Sequence, residues 1–177
     1  MADYERVALV TGGAVGIGGA SARLLAQRGA AVVIGDVDAE NGSATVDEIE
    51  KEGGTATFVE ADVSLETDVE RLVSTAIETY GRLDWAHNNA GIEGAGSLLH
   101  EMPTEEFDRN VSVNMRGIYL SMKHEIRHML EQGSGGSIVN TASTAALVGF
   151  PGEMSQYVAS KHGVAGLTKS SGLGYAQ

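Results

Sequence analysis

The sequence contains no cysteine, which excludes a disulfide, a thiolate nucleophile and a thiolate-held metal. Basic residues are scarce: 12 lysines and arginines stand against 24 aspartates and glutamates, a net charge of −12. Such a field repels phosphate backbones, so nucleic acid is not an expected partner. An acidic substrate would need a local basic group to override it. Long apolar runs are missing too. Stretches such as residues 30–34 are far too short to cross a bilayer, so no membrane partner is expected. Residues 1–6 lack the basic start and apolar run of a secretory signal, which predicts a cytoplasmic protein. There is no internal repeat, low-complexity tract or linker, and 177 residues at 42% hydrophobic suit one domain over 1–177.

What the sequence does have is an alternation of strands and helices. Strands are predicted over residues 6–11, 31–36, 55–61, 83–88 and 137–142. Helices are predicted over 16–28 and 40–52, then from an N-cap at Ser64 with Leu65, Val69, Leu72, Val73, Ala76 and Ile77 at helical spacing. A long helix follows Pro103-Thr104, striped by Phe107, Val111, Met115, Ile118, Met122, Ile126 and Met129, and the chain is helical from Tyr157 onward. This order implies an α/β fold, a doubly wound parallel sheet with helices on both faces.

Five of the 24 glycines crowd into Gly12, Gly13, Gly16, Gly18 and Gly19, between the first strand and its helix. Glycine there permits a tight turn and lets a pyrophosphate approach the backbone, while the helix N-terminus offers free amides. Any tight strand-to-helix turn favours glycine, so the loop gains weight from its setting in a strand–helix–strand unit. The second strand ends in Asp36, 18 residues after Gly18, close to the spacing of the acid that binds an adenosine ribose hydroxyl. A carboxylate there repels a 2′-phosphate, and the neighbouring Ala14, Val15 and Val37 are apolar rather than basic. NAD is therefore favoured over NADP; the plain alternative is a solvated turn aspartate.

The segment Thr11-Gly12-Gly13-Ala14-Val15-Gly16-Ile17-Gly18 resembles the TGxxxGIG loop of the short-chain dehydrogenases/reductases. Asp62-Val63 is similar to the family's acidic pair at the adenine, Asn88-Asn89-Ala90-Gly91 to its NNAG block, and Tyr157-Val158-Ala159-Ser160-Lys161 to its YxxxK signature. These blocks occur in the family's order and cover essentially the whole chain. The resemblance implies a Rossmann-like fold, with Gly12, Val15, Gly16, Ile17, Gly18, Asp36, Val37, Asp62, Val63, Asn89, Gly91, Tyr157 and Lys161 around the dinucleotide. Asn89 and Gly91 would flank its adenosine side, and Lys161 would bond the nicotinamide ribose.

Tyr157 and Lys161, four apart, share one helix face about 6 Å from each other. A free phenol has a pKa of about 10 and is a poor base at neutral pH, but a neighbouring ammonium stabilises the phenolate. Such a pair can take a proton from an alcohol as hydride leaves its carbon, or return one to a ketone. By resemblance, Ser143 holds the reacting oxygen, with Thr144 as the alternative hydroxyl. Asn114 resembles the asparagine that orients a water joining Lys161 to solvent, its plainer reading being a surface asparagine.

His124-Glu125-Ile126-Arg127-His128 is a literal HExxH, the spacing that sets two imidazoles on one metal. These histidines lie about 15 to 21 Å beyond Asn114 along the helix axis, away from the edge where such sheets bind ligands, so a solvated helix face is expected and no metal. His87, His100 and His162 show no ligand spacing. The apolar segment 145–150, with residues 92–96 and Glu153-Met154, falls beside the reacting groups and suits a hydrophobic or alicyclic secondary alcohol or ketone.

The expected activity is hydride transfer between NAD(H) and such a substrate. A non-catalytic NAD-binding or regulatory protein is the rival, and a zinc hydrolase a distant third. The resemblance also implies a homotetramer or homodimer joined through the helices of Asn114 and Tyr157. It further implies that strands should follow the YxxxK helix. An amino-terminal portion of a longer protein is therefore expected, with the fifth strand an open apolar edge.

Overall fold

A computed structural model of the chain describes residues 4–150 and 152–176; of the segment read for a secretory signal, residues 1–3 lie outside it. The chain alternates β1 (Val7–Thr11), α1 (Gly16–Gln27), β2 (Ala31–Asp36), α2 (Ala39–Lys51), β3 (Thr55–Glu60), α3 (Glu66–Tyr80) and β4 (Trp85–Asn88). Then come α4 (Thr104–Val111), a π-helical turn (Ser112–Arg116), α5 (Gly117–Gln132), β5 (Ser137–Asn140), a 3-10 turn (Thr144–Ala146) and α6 (Ser155–Tyr175). The strands form one parallel sheet in the order β3-β2-β1-β4-β5. Val7 pairs with Ala31 on one side of β1 and Ala8 with Trp85 on the other. Strand order reverses between β1 and β4, which opens a crevice at the carboxyl ends of the strands.

Alternation along β1 and β2 builds a core on each face. Val7, Leu9 and Val33 pack under Leu72, Val73 and Ala76 of α3 and Met129 of α5. Ala8, Val10, Val32 and Ile34 pack under Ala22 and Ala26 of α1 and Ile49 of α2. Both faces of the central strands are buried, so these strands read as continuous apolar runs. β5 pairs with β4 and carries an exposed Ser137 and Val139 at the sheet edge. No helix among the described residues is long and apolar enough to cross a membrane.

Three sequence expectations need correction. Ser64 does not cap α3: the N-cap is Leu65, without a side-chain bond, and the turn is closed by Asp62 and Asp68. Asp62 accepts from the Ser64 N–H at 2.8 Å, and Asp68 accepts from the Asp62 N–H at 3.0 Å. The long helix after Thr104 is not continuous, because the π-helical turn interrupts it around Asn114. Its buried face is also not a purely apolar stripe. Phe107 is exposed, whereas Asn110, Asn114, Ser121, His124 and Glu125 are buried. A hydrophobic periodicity cannot register polar side chains that are buried against partners elsewhere in the chain, as Asn114 is against Ile92, His124 against Glu66 and Glu125 against Asn88.

Candidate active site

The crevice is a cleft of about 590 Å³ lined by residues that follow four of the five strands. β1 delivers Gly12 and Val15, β2 delivers Asp36 and Val37, the segment after β3 delivers Asp62 and Val63, and the segment after β4 delivers Asn89 and Gly91. Eight sequence-predicted cofactor residues thus share one wall-to-wall space. Gly16, Ile17 and Gly18 open α1 beside it. Gly16 takes a left-handed φ of +57°, and a Cβ on Gly18 would lie 2.0 Å from the Gly12 carbonyl oxygen. Both positions therefore need glycine, one for its backbone angle and one for close approach.

Polar side chains fix the loops around the cleft. Asp36 Oδ2 accepts from the Ala14 N–H at 3.0 Å and its Oδ1 from the Asp38 N–H at 3.1 Å. Asn89 Nδ2 donates to the Gly12 carbonyl at 3.1 Å, tying the loop after β4 to the glycine loop. Thr11 Oγ1 accepts from the N–H groups of Asn89 at 3.0 Å and Ala90 at 3.2 Å. Thr11 opens the TGxxxGIG motif, and a hydroxyl ending a buried apolar strand is the sequence signal for this bracing role.

These residues suit a dinucleotide. α1 begins without a side-chain cap and without an acidic residue in its first turn, so its leading amides face no competing carboxylate of their own helix. Val15 and Val37 expose apolar side chains at the cleft, Val63 backs it, and Asp36 adds a carboxylate, an acceptor for hydroxyl groups. Arg109 of α4, which sequence reading missed, is the basic side chain among the described lining residues. It provides a local cation against an otherwise acidic field.

Tyr157 and Lys161 lie on α6, with the Lys161 Nζ 5.7 Å from the centroid of the Tyr157 ring. Lys161 is buried, which pushes its ammonium below the usual lysine range, and Nζ donates to the Thr141 carbonyl at 2.9 Å. Asn114 is fully buried, contrary to a surface reading. Its Oδ1 accepts from the Ile92 N–H at 2.7 Å, and its Nδ2 faces the Ile92 carbonyl at 2.7 Å, Asn110 Oδ1 at 3.1 Å and Ser160 Oγ at 3.3 Å. The π-helical turn carries this amide to the loop after β4 and to Ser160 of α6, and such turns are frequent at functional positions. Asn110, one turn earlier, donates to the Glu93 carbonyl at 3.0 Å. Its position inside the same helix was the available clue.

Ser143 is half-buried and caps the 3-10 turn, its Oγ accepting from the Ala145 N–H at 3.1 Å; Thr144 is exposed. No hydrogen bond joins Ser143 to Tyr157 among the described residues. Beyond Ser143, Leu147, Val148 and Phe150 are exposed apolar side chains. Across from them, Glu153 accepts from the Ser97 N–H through its carbonyl at 3.3 Å.

The HExxH stretch is not the solvated face expected. His124 and Glu125 are buried, and His124 Nε2 meets Glu66 Oε1 at 3.1 Å. Lys123 also donates to Glu66 and, with His124, holds that carboxyl below its ordinary value. No three histidine, cysteine, aspartate or glutamate side chains gather as a metal-holding group among the described residues. His87 is half-buried, burial lowers its pKa, and its Nε2 meets Thr141 Oγ1 at 2.9 Å; His162 bonds its own helix at the Val158 carbonyl.

The family described as short chain dehydrogenase matches residues 6–177. Cyclohexanol dehydrogenase of Acinetobacter sp. (strain SE19) is 44% identical over 172 residues, which cover 97% of this chain and 68% of that protein. Levodione reductase of Leifsonia aquatica is 43% identical over 176 residues, 98% of this chain and 65% of that one. Among solved structures, a levodione reductase superposes with a TM-score of 0.93 at 40% identity, covering 98% of this chain and 67% of that one. A short-chain type dehydrogenase/reductase from Mycobacterium marinum also reaches 0.93, at 33% identity, covering 98% and 69%. The chain thus spans about two thirds of the length of these relatives. A glycine loop at the switch point, a Tyr157–Lys161 pair on α6 and agreement in sequence and fold along nearly the whole chain lead to one conclusion: it belongs to the short chain dehydrogenase family of oxidoreductases, which use a nicotinamide cofactor.

Proposed function

We propose that residues 1–177 act as one unit that transfers hydride between NAD(H) and a secondary alcohol or ketone of alicyclic or otherwise hydrophobic character. The observation that carries this reading is the convergence at Gly91. A Cβ built there would lie 3.2 Å from Asn114 Oδ1 and 3.6 Å from Lys161 Nζ, and Gly91 itself lines the cleft. The space for a dinucleotide therefore ends at the proton-handling side chains.

In this reading Gly12, Gly16, Gly18 and the leading amides of α1 receive the diphosphate. Asp36 accepts from the adenosine ribose and, being anionic, repels the 2′-phosphate of NADP; the neighbouring Ala14, Val15 and Val37 are apolar. Asp62 and Val63 meet the adenine and Asn89 flanks the adenosine side, whereas Gly91, expected on that side as well, lies beside Asn114 and Lys161 and so nearer the reacting end. The nicotinamide, when bound, supplies the hydride acceptor or donor.

Ser143 holds the substrate oxygen. Tyr157 takes the hydroxyl proton as the carbonyl forms, and returns it in the reverse direction. Lys161, fixed by the Thr141 carbonyl, sets its positive charge beside the Tyr157 ring and stabilises the phenolate. Asn114 keeps residue 92 and the lysine side of the site in place and orients a water toward Lys161.

Leu147, Val148 and Phe150 favour an apolar substrate, and two relatives named for cyclic alcohols or ketones, cyclohexanol dehydrogenase and levodione reductase, support the alicyclic class. We further propose a homodimer or homotetramer joined through α5 and α6, where Tyr119, Leu130, Leu173 and Tyr175 are exposed. Reduction of NAD and of NADP, followed by dinucleotide absorbance over a panel of cyclic secondary alcohols, tests the reading. NAD reduction by cyclic alcohols, with little from NADP, is expected; turnover confined to NADP would contradict it.

A further inference from the structure

Glu125, the second residue of the HExxH stretch, is 0% exposed. Its carboxyl receives one hydrogen bond, from Asn88 Nδ2 to Oε2 at 2.9 Å, while Oε1 is buried without a partner. Asn88 is equally buried. Its second amide hydrogen goes to Asn140 Oδ1 at 3.0 Å, and its own Oδ1 is buried without a partner. Two side chains already joined by one bond thus each hold an orphaned acceptor, and neither has a hydrogen left to give. A single proton on Oε1 would satisfy both.

Among the described residues no ion pair reaches Glu125, including none from His128 three residues along α5, whose Nε2 is itself buried without a partner. On α5 and α3, Glu66 pairs with Lys123 and His124, and His124 also faces Glu70. Ahead of β4, Asp84 pairs with Arg82; on β4, His87 meets Thr141; on α6, Lys161 donates to Thr141. β5 presents Asn140, a neutral amide. Burial, opposed by the Asn88 bond alone, raises the Glu125 pKa to about 7.

We propose that Glu125 is a positioning residue that carries a proton, donating from Oε1 to Asn88 Oδ1, so that acid and amide are joined by a pair of opposed hydrogen bonds. The Asn88 carbonyl accepts from the Thr141 N–H at 2.9 Å, and the Thr141 carbonyl in turn accepts from Lys161 at 2.9 Å. Asn140 Nδ2 continues to Thr168 Oγ1 of α6 at 2.9 Å. The pair therefore anchors α5 to the ends of β4 and β5, the points where residues 89–91 and the Lys161 acceptor leave the sheet. Loss of the proton sets a carboxylate against the Asn88 carbonyl oxygen and loosens that end. The effect on the cofactor rests on the dinucleotide reading above; the proton does not.

Infrared difference spectra of the intact protein, wild type minus Glu125→Gln, are paired with NADH binding at the same pH values. The carbonyl stretch of a buried carboxylic acid is expected at about pH 5.5 and should fade toward about pH 9. Over that range NADH affinity should weaken roughly fivefold or more in the wild type. It should stay level in Glu125→Gln, whose amide can donate to Asn88 Oδ1 and accept from Nδ2. Glu125→Leu, which fills the space without bonding Asn88, should bind NADH weakly at every pH. A folded wild type without the acid band at about pH 5.5 would overturn the proton. A Glu125→Gln protein that follows the wild-type pH course would overturn the positioning role. If NADH does not bind at all, the dinucleotide reading fails while the band still decides the proton. If Glu125→Gln does not fold, the wild-type band, identified by its deuterium shift, decides it alone.

Discussion

The carboxylate of Asp36, the last residue of β2, holds the backbone N–H of Ala14 at 3.0 Å inside the glycine loop that follows β1. One side chain therefore shapes the glycine loop, for which diphosphate binding is proposed, and also lines the cleft. Replacing Asp36 with alanine removes both the brace and the charge. Discrimination for NAD over NADP, measured as a ratio of kcat/KM values, is expected to fall by about 10- to 100-fold, the scale of a charge-assisted hydrogen bond. An unchanged ratio would remove Asp36 from cofactor selection.

Gly18 and Gly16 separate two reasons for glycine. A Cβ on Gly18 would stand 2.0 Å from the Gly12 carbonyl oxygen and 2.7 Å from Asn89 Nδ2, whereas one on Gly16 meets nothing within 4 Å. Gly18→Ala must displace backbone and is expected to lower stability by about 3 kcal/mol or more. Gly16→Ala carries only the left-handed penalty of about 1–2 kcal/mol. Chemical denaturation of the two variants measures the difference; equal losses would contradict the close packing at Gly18.

Asn114→Ala strands the Ile92 N–H, now held at 2.7 Å, and leaves the Ile92 carbonyl only the longer bond from Asn110 Nδ2 at 3.4 Å in place of 2.7 Å. With an orphaned buried group costing about 1–3 kcal/mol, a loss of roughly 3 kcal/mol is expected, together with a fall in kcat. Asn114→Asp, which keeps the acceptor for the Ile92 N–H, should fall between. Thermal melting and turnover measured together check this ordering.

The raised pKa of Glu125, about 7, has a stability consequence with a definite sign. An unfolded glutamate titrates near 4.3, so between about pH 4.3 and 7 the folded chain keeps a proton that the unfolded chain has lost. Stability contributed by this site is complete below that window, declines as pH rises through it, and levels off above. Relative to Glu125→Gln, the wild type should lose on the order of 3–4 kcal/mol across the window. Urea denaturation of both proteins at several pH values reads this directly. Parallel stability curves would mean that Glu125 is ionised throughout.

Much of this was legible in the sequence because the relevant interactions are local. The glycines of the loop, Asp36 at the end of β2 and the four-residue step from Tyr157 to Lys161 each declare themselves within one turn or one strand–helix unit. What stayed hidden is nonlocal and polar. That Glu125 meets Asn88 across 37 residues, or that Asn114 reaches back 22 residues to Ile92, leaves no periodic trace. Apolar spacing therefore read the long helix as unbroken, and distance along that helix from the ligand-binding edge read His124-Glu125 as solvated. Ser64 misled for the opposite reason: it is a favoured capping residue, but the Asp62 carboxylate already occupied the turn.

The central claim is that Tyr157 handles the substrate proton beside a charged Lys161. Tyr157→Phe keeps the ring whose centroid lies 5.7 Å from the lysine and removes only the hydroxyl. NADH binding should persist within about threefold, while NAD reduction by cyclic secondary alcohols should fall by about 10²- to 10⁴-fold, the usual worth of a positioned acid–base group. Turnover by Tyr157→Phe at the wild-type rate would contradict it.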